Sequence, residues 1–150
     1  MSFTFTEKDH LKKKIEEISD DKNIFYHGVV RREKMIEKLK TFDFILIPRL
    51  NSSEAKLFTP SKLIEAMAFG LVPIVSNVGG MNELVNNSNG FVLKSTKDKD
   101  LNDVLIAIKN IDKNKLKKMS TESKKLILEN YTWFQNHQKL DEIYQSLVSC

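Results

Sequence analysis

The sequence predicts an α/β fold: a parallel sheet with flanking helices and a helical C-terminal tail over residues 98–150. Three observations carry that expectation. Short apolar runs alternate with amphipathic stretches almost throughout, the pattern of successive β-α units. Phe44–Ile47 and Val72–Val75 are nearly continuous in apolar residues rather than alternating, as suits strands buried on both faces. From Asp98 onward the apolar residues recur only at helical spacing.

The elements follow in order. Ser2–Phe5 is a short alternating strand, and Lys8–Ile18 an amphipathic helix with Leu11, Ile15 and Ile18 on one face. Asn23–His27 is a strand ending at Gly28; Arg32–Lys40 is a helix with Met35, Ile36 and Leu39 turned inward. Pro48 stops the strand Phe44–Ile47. The next helix is punctuated at both ends. Thr59 suits the N-cap, Pro60 the first helical position and Gly70 the stop, with Leu63, Ile64, Met67 and Ala68 as the buried stripe. Val72–Val75 is a strand, followed by a Gly79-Gly80 turn, a short helix and the strand Gly90–Leu93. Asp98–Lys109 is a helix with Leu101, Val104, Leu105 and Ile108 on one face, and Lys113–Glu129 is another. Thr132–Val148 closes the chain as an amphipathic helix anchored by Trp133, Phe134, Leu140, Ile143 and Tyr144. There are no internal repeats or low-complexity tracts.

A chain of 150 residues suits one domain with a proper core, and 41% hydrophobic with 29% charged residues is ordinary for a globular protein. The net charge is a mild +4. Its lysine clusters, Lys12–Lys14 and Lys113–Lys125, read as solvated helix faces; the alternative is weak attraction to anionic headgroups or nucleotide phosphates. No basic stripe is interleaved with exposed aromatics, so nucleic acid is not expected as a partner. Cys150 is the single cysteine, which excludes an internal disulfide framework and a cysteine-based metal site and fits a reducing cytosol. No apolar run approaches the ~18 residues a membrane span needs, and the N-terminus lacks a signal-peptide profile. The expected location is cytoplasmic, with weak peripheral membrane contact left open.

The chemistry centres on Thr59–Gly70. Ser61, Lys62 and Glu65 share a face near the start of the helix, and helical side chains lean toward the N-terminus, so Glu65 projects toward the helix mouth. Unpaired N–H groups and the positive end of the helix dipole favour phosphate there. A diphosphate on the first turn, Lys62 neutralising charge, and Glu65 accepting hydrogen bonds from a vicinal diol such as ribose O2′ and O3′ form one consistent reading. The other is an exposed Lys62–Glu65 ion pair contributing ~0.2–0.5 kcal/mol.

The segments IPRLN, EAMAFGLVPIVS, VGGMNELV and NGFVL, in that order and spacing, resemble the donor-binding half of retaining GT-B glycosyltransferases, the group 1 family that uses nucleotide sugars. The resemblance covers most of the C-terminal, Rossmann-like domain. It implies that Glu65 is the glutamate that binds the donor ribose, that Thr59, Ser61, Lys62 and Leu63 form the diphosphate-holding helix mouth, and that Phe25–Arg31 is the strand-and-glycine loop whose backbone at Val29, Val30 and Arg31 lies near the nucleobase. The family's first glutamate would fall at Leu57, and Glu54 stands three residues earlier; the Thr-Pro-x-Lys loop resembles a version some members carry. His27 reads as structural, without a matching partner. Gly79-Gly80 followed by Glu83 is either a turn held close to the donor or a purely structural turn. The final helix resembles the one that braces the N-terminal domain in the family.

The resemblance begins at about Ser2, on what looks like the second strand of the family domain. The sequence therefore reads as a single incomplete domain, 1–150, without the central first strand and its Gly-Arg…Lys phosphate segment. The gap is expected to be filled by a rearranged strand, a second copy or a separately encoded N-terminal half. The implied function is donor binding in a hexosyltransferase-type enzyme that moves a sugar from a nucleotide diphosphate sugar to a hydroxyl acceptor, in polysaccharide or glycolipid synthesis. No residue here is a credible general base, so the chain alone is expected to be inactive. No cofactor or metal is implied beyond the nucleotide sugar substrate. The alternatives are a non-catalytic fragment or interaction subunit and, less favoured, a sugar-nucleotide epimerase.

Overall fold

The structure, a computed structural model, describes residues 2–3, 25–95 and 97–148. The chain divides into two compact units, Met1–Lys40 and Thr41–Cys150. In the first, β1 (Ser2–Phe3) pairs in parallel with β2 (Phe25–Tyr26). After Gly28, whose φ is +60°, the chain enters α1 (Arg32–Leu39), entirely polar or half-buried along its length. The predicted helix Lys8–Ile18 lies outside the described residues, as do the ends of the strands expected over Ser2–Phe5 and Asn23–His27.

The second unit is built on a parallel three-stranded sheet in the order β3 (Phe44–Ile47), β4 (Val72–Ser76), β5 (Phe91–Leu93). Phe44 pairs with Val72 and Ile74 with Phe91. Every residue of β4 is buried, as its unbroken apolar run implies. Pro73 is tolerated in this central strand for a positional reason. The Val72 amide donates to the Asp43 carbonyl on the β3 side, so the donor that Pro73 lacks would face β5, whose pairing begins only opposite Ile74.

Three connections carry short helices: α2 (Ser53–Leu57), α3 (Ser61–Ala68) and α4 (Met81–Leu84). Three longer ones follow β5: α5 (Asp98–Lys109), α6 (Lys113–Asn130) and α7 (Trp133–Val148). The core joins Leu63 and Met67 of α3, Val75 of β4, Met81 and Leu84 of α4, and Ile127 of α6. Helix α6 is also tied to the sheet by two serines. Ser120 Oγ donates to the Gly70 carbonyl at 2.6 Å, and the fully buried Ser123 Oγ to the Leu71 carbonyl at 2.9 Å. Helix α7 buries no residue fully: Trp133 is 90% exposed, and Phe134, Ile143, Tyr144 and Leu147 are exposed too. The anchors expected of this helix therefore have no cover among the described residues.

Candidate functional site

Two loops leave the C-terminal ends of neighbouring parallel strands, the place where open α/β sheets present ligand sites. The first runs from Pro48 to Pro60 and contains α2, a helix that is not among the elements expected from the sequence. Ser52 makes it possible, its side chain accepting from the Ala55 amide at 3.2 Å. The second loop runs from Asn77 through Gly79-Gly80 into α4. The strand ends are joined where the Arg49 amide donates to Ser76 Oγ at 2.8 Å.

The loops are in tight contact. Gly79 has φ +61°, and a Cβ there would lie 2.5 Å from the Ala55 carbonyl oxygen. A Cβ on Gly80 would meet Thr59 Oγ1 at 2.1 Å. The Gly-Gly turn is thus a bare seat on which the end of α2 and Thr59 rest. Of the two readings the sequence allowed for it, this contact supplies a structural reason for both glycines.

Helix α3 begins one residue later than the sequence predicted. Pro60, at φ −64° and ψ 123°, is the residue that caps α3, with no side-chain capping bond, and Ser61 is the first helical residue. Thr59 is therefore not the cap. Its hydroxyl is packed against Gly80, and Pro60 is held in the extended region from which the helix starts. At the other end the expected stop is present: Gly70 has φ +84°, its amide donates to the Met67 carbonyl, and the Leu71 amide to the Ala66 carbonyl.

At the helix mouth, Ser61 and Lys62 are exposed, and their amides occupy the first two helical positions, which have no intrahelical acceptor. Leu63 differs: its side chain is fully buried in the core, and its amide already donates to the Pro60 carbonyl at 2.9 Å. Glu65 lies one turn further in, half-buried, on the same helix. Leu57, at the position of the family's first glutamate, is an exposed apolar residue ending α2. Thr59, Ser61, Lys62 and Glu65 are brought together by one loop and one helix.

Val29, Val30 and Arg31 belong to the other unit. Val29 and Arg31 are exposed, Val30 is half-buried, and Arg31 is the residue before α1, its carbonyl accepting from the Met35 amide. The Lys38 ammonium approaches His27 Nδ1 at 3.3 Å and Nε2 at 3.5 Å, which occupies the imidazole within its own unit and fits the structural reading.

Among the described residues, no three His, Cys, Asp or Glu side chains are grouped to hold a metal ion, and no helix is long and apolar enough to cross a membrane.

A sequence profile described as glycosyl transferases group 1 matches residues 5–126. The chain belongs to the group 1 glycosyl transferases. No curated protein matches it. Solved structures share its α/β fold, that of GT-B glycosyltransferases. One is a sucrose-phosphate synthase (tll1590) from Thermosynechococcus elongatus, with TM-score 0.77 and 14% identity, covering 99% of this chain and 38% of that one. Another is Anabaena Alr3699/HepE in complex with UDP-glucose, with TM-score 0.72 and 18% identity over 97% of this chain and 40% of that one. A third is the C-terminal domain of a glycosyl transferase group 1 family protein (LpcC) from Francisella tularensis, with TM-score 0.61 and 20% identity over 83% of this chain and 62% of that one. The chain thus spans about two-fifths of the length of the first two.

Two residues at the site escaped the sequence reading. Arg49 follows the half-buried apolar run of β3 and Ser76 ends the buried run of β4, and a polar residue closing such a run is the signal that marks them.

Proposed function

We propose that this group 1 glycosyl transferase chain is the donor-binding part of a retaining, metal-independent enzyme that moves a sugar from a nucleotide diphosphate sugar to a hydroxyl acceptor in polysaccharide or glycolipid synthesis. The observation that carries the reading is the mouth of α3. Two first-turn amides without an intrahelical acceptor, Ser61 and Lys62, stand with the Lys62 side chain at the C-terminal end of a parallel sheet, and a half-buried glutamate lies one turn in. The HepE complex with UDP-glucose, a chain of the same fold, supports the nucleotide sugar as ligand class.

In this reading the diphosphate takes the two amides and the Lys62 charge, which the helix dipole reinforces. Glu65 accepts from the ribose hydroxyls. The contribution is binding and orientation; the acceptor site and any general base come from a separate N-terminal half.

Calorimetric titration with UDP, GDP, ADP and 2′-deoxy-UDP tests it. A nucleoside diphosphate should bind saturably, and the 2′-deoxy form more weakly. Glu65→Gln should weaken ribonucleotide binding roughly tenfold or more and narrow the gap between ribose and deoxyribose, since a charged hydrogen-bond acceptor is lost. Equal affinities for ribose and deoxyribose would remove Glu65 from this role.

A second reading, a non-catalytic interaction subunit, is favoured by one observation: the uncovered apolar face of α7, with Trp133, Phe134, Ile143, Tyr144 and Leu147 exposed. It predicts little nucleotide affinity for the chain alone.

A further inference from the structure

Arg49 stands where the two loops of the site meet the sheet. Its amide is fixed to the end of β4 through Ser76 Oγ at 2.8 Å, and Ser76 is itself buried. Its guanidinium reaches along the loop and donates from Nη1 to the Phe58 carbonyl at 3.3 Å. Phe58 closes α2 in the extended region, at φ −129° and ψ 132°, with its side chain exposed, so packing of that side chain does not hold the turn. From Phe58 the backbone runs through Thr59 and Pro60 directly into the first turn of α3.

The direction of that first turn depends on where the loop is held. The Gly79-Gly80 turn supports Ala55, Lys56 and Thr59 from beneath. Arg49 adds a side-chain contact at the Phe58 carbonyl. A planar, permanently charged fork suits this task because it holds a carbonyl at a fixed angle while its stem lies along the chain.

We infer that Arg49 is a positioning residue for the mouth of α3: it straps the loop at Phe58 to the ends of β3 and β4, and thereby aims the Ser61 and Lys62 amides at the diphosphate. This rests on the donor-binding reading above. Arg49 acts on the ligand through the loop, by holding backbone that the ligand touches.

The test compares the unaltered chain with Arg49→Met, which keeps the stem and removes the donor, and Arg49→Lys, which keeps one donor and the charge. Amide hydrogen exchange is read without nucleotide, and UDP, GDP and ADP affinities by calorimetry. In Arg49→Met, exchange at Lys56 and Leu63, whose amides donate to the Ser52 and Pro60 carbonyls on either side of Phe58, should accelerate roughly three- to tenfold, with β4 amides and the thermal midpoint essentially unchanged, and nucleotide affinity should fall by a similar factor. Arg49→Lys should recover at least half of both effects. Unchanged loop exchange, or unchanged affinity with the unaltered chain binding well, would overturn the inference. So would a loss spread evenly over the β4 amides, which would make Arg49 a general stability residue. If the unaltered chain binds none of the three nucleotides, the donor-binding reading fails and this role of Arg49 fails with it. That outcome is distinct from normal binding by both the unaltered chain and Arg49→Met.

Discussion

Gly80 offers a sharp test of the packing beneath the helix mouth. Its backbone sits at φ −70° and ψ 3°, which any L-residue adopts, so an alanine there meets no backbone strain. The obstacle is steric. The new methyl would lie 2.1 Å from Thr59 Oγ1, whereas the next atom, Thr59 Cβ, is at an ordinary 3.5 Å. Gly80→Ala must therefore turn the Thr59 hydroxyl out of its rotamer or lift the loop, an overpacking cost of roughly 1–3 kcal/mol. In a Thr59→Ala background the clashing atom is gone, and the same substitution should gain about 0.4–1 kcal/mol by restricting the unfolded chain. The two backgrounds should thus differ by about 1.5–4 kcal/mol in the effect of one methyl group. Urea and thermal unfolding of the four chains would measure it, with midpoint shifts of about 2–4 °C per kcal/mol at this size. Equal destabilisation by Gly80→Ala in both backgrounds would refute the contact as the cause.

Two further predictions concern the C-terminal helices. Ser123→Ala leaves the buried Leu71 carbonyl without the hydroxyl that reaches it at 2.9 Å; it should cost about 1–3 kcal/mol, read as a lower urea midpoint at unchanged slope. Trp133→Ala, at a side chain 90% exposed, should change the stability of the chain by no more than about 0.5 kcal/mol in the same assay.

Much of this architecture is legible in the sequence because local signals and burial agree. Val72–Val75 reads as a doubly buried strand and is one, whereas Phe44–Ile47, read the same way, is an end strand of its sheet and only half-buried; Gly70 reads as a helix stop and takes φ +84°. Elements whose cause is tertiary are less legible. Thr59-Pro60 has the letters of a cap and a first helical turn, yet the seat at Gly80 holds the Thr59 side chain, and Pro60 becomes the capping position. Helix α2 is five residues long and rests on one serine cap, too short for any periodicity to show. Leu63 illustrates a third limit. A spacing argument places it in the first turn, but cannot show that its amide is already closed onto Pro60. Arg49 and Ser76 meet only because two strands end side by side, a fact of register rather than of local pattern.

Whether the first turn of α3 holds a nucleoside diphosphate is decided by an amide NMR titration of the chain with UDP, GDP and ADP, repeated on Glu65→Ala. Saturable shifts are expected at Ser61 and Lys62, weakened by the substitution. Well-dispersed spectra in which no nucleotide moves the Ser61 and Lys62 amides would contradict diphosphate binding there.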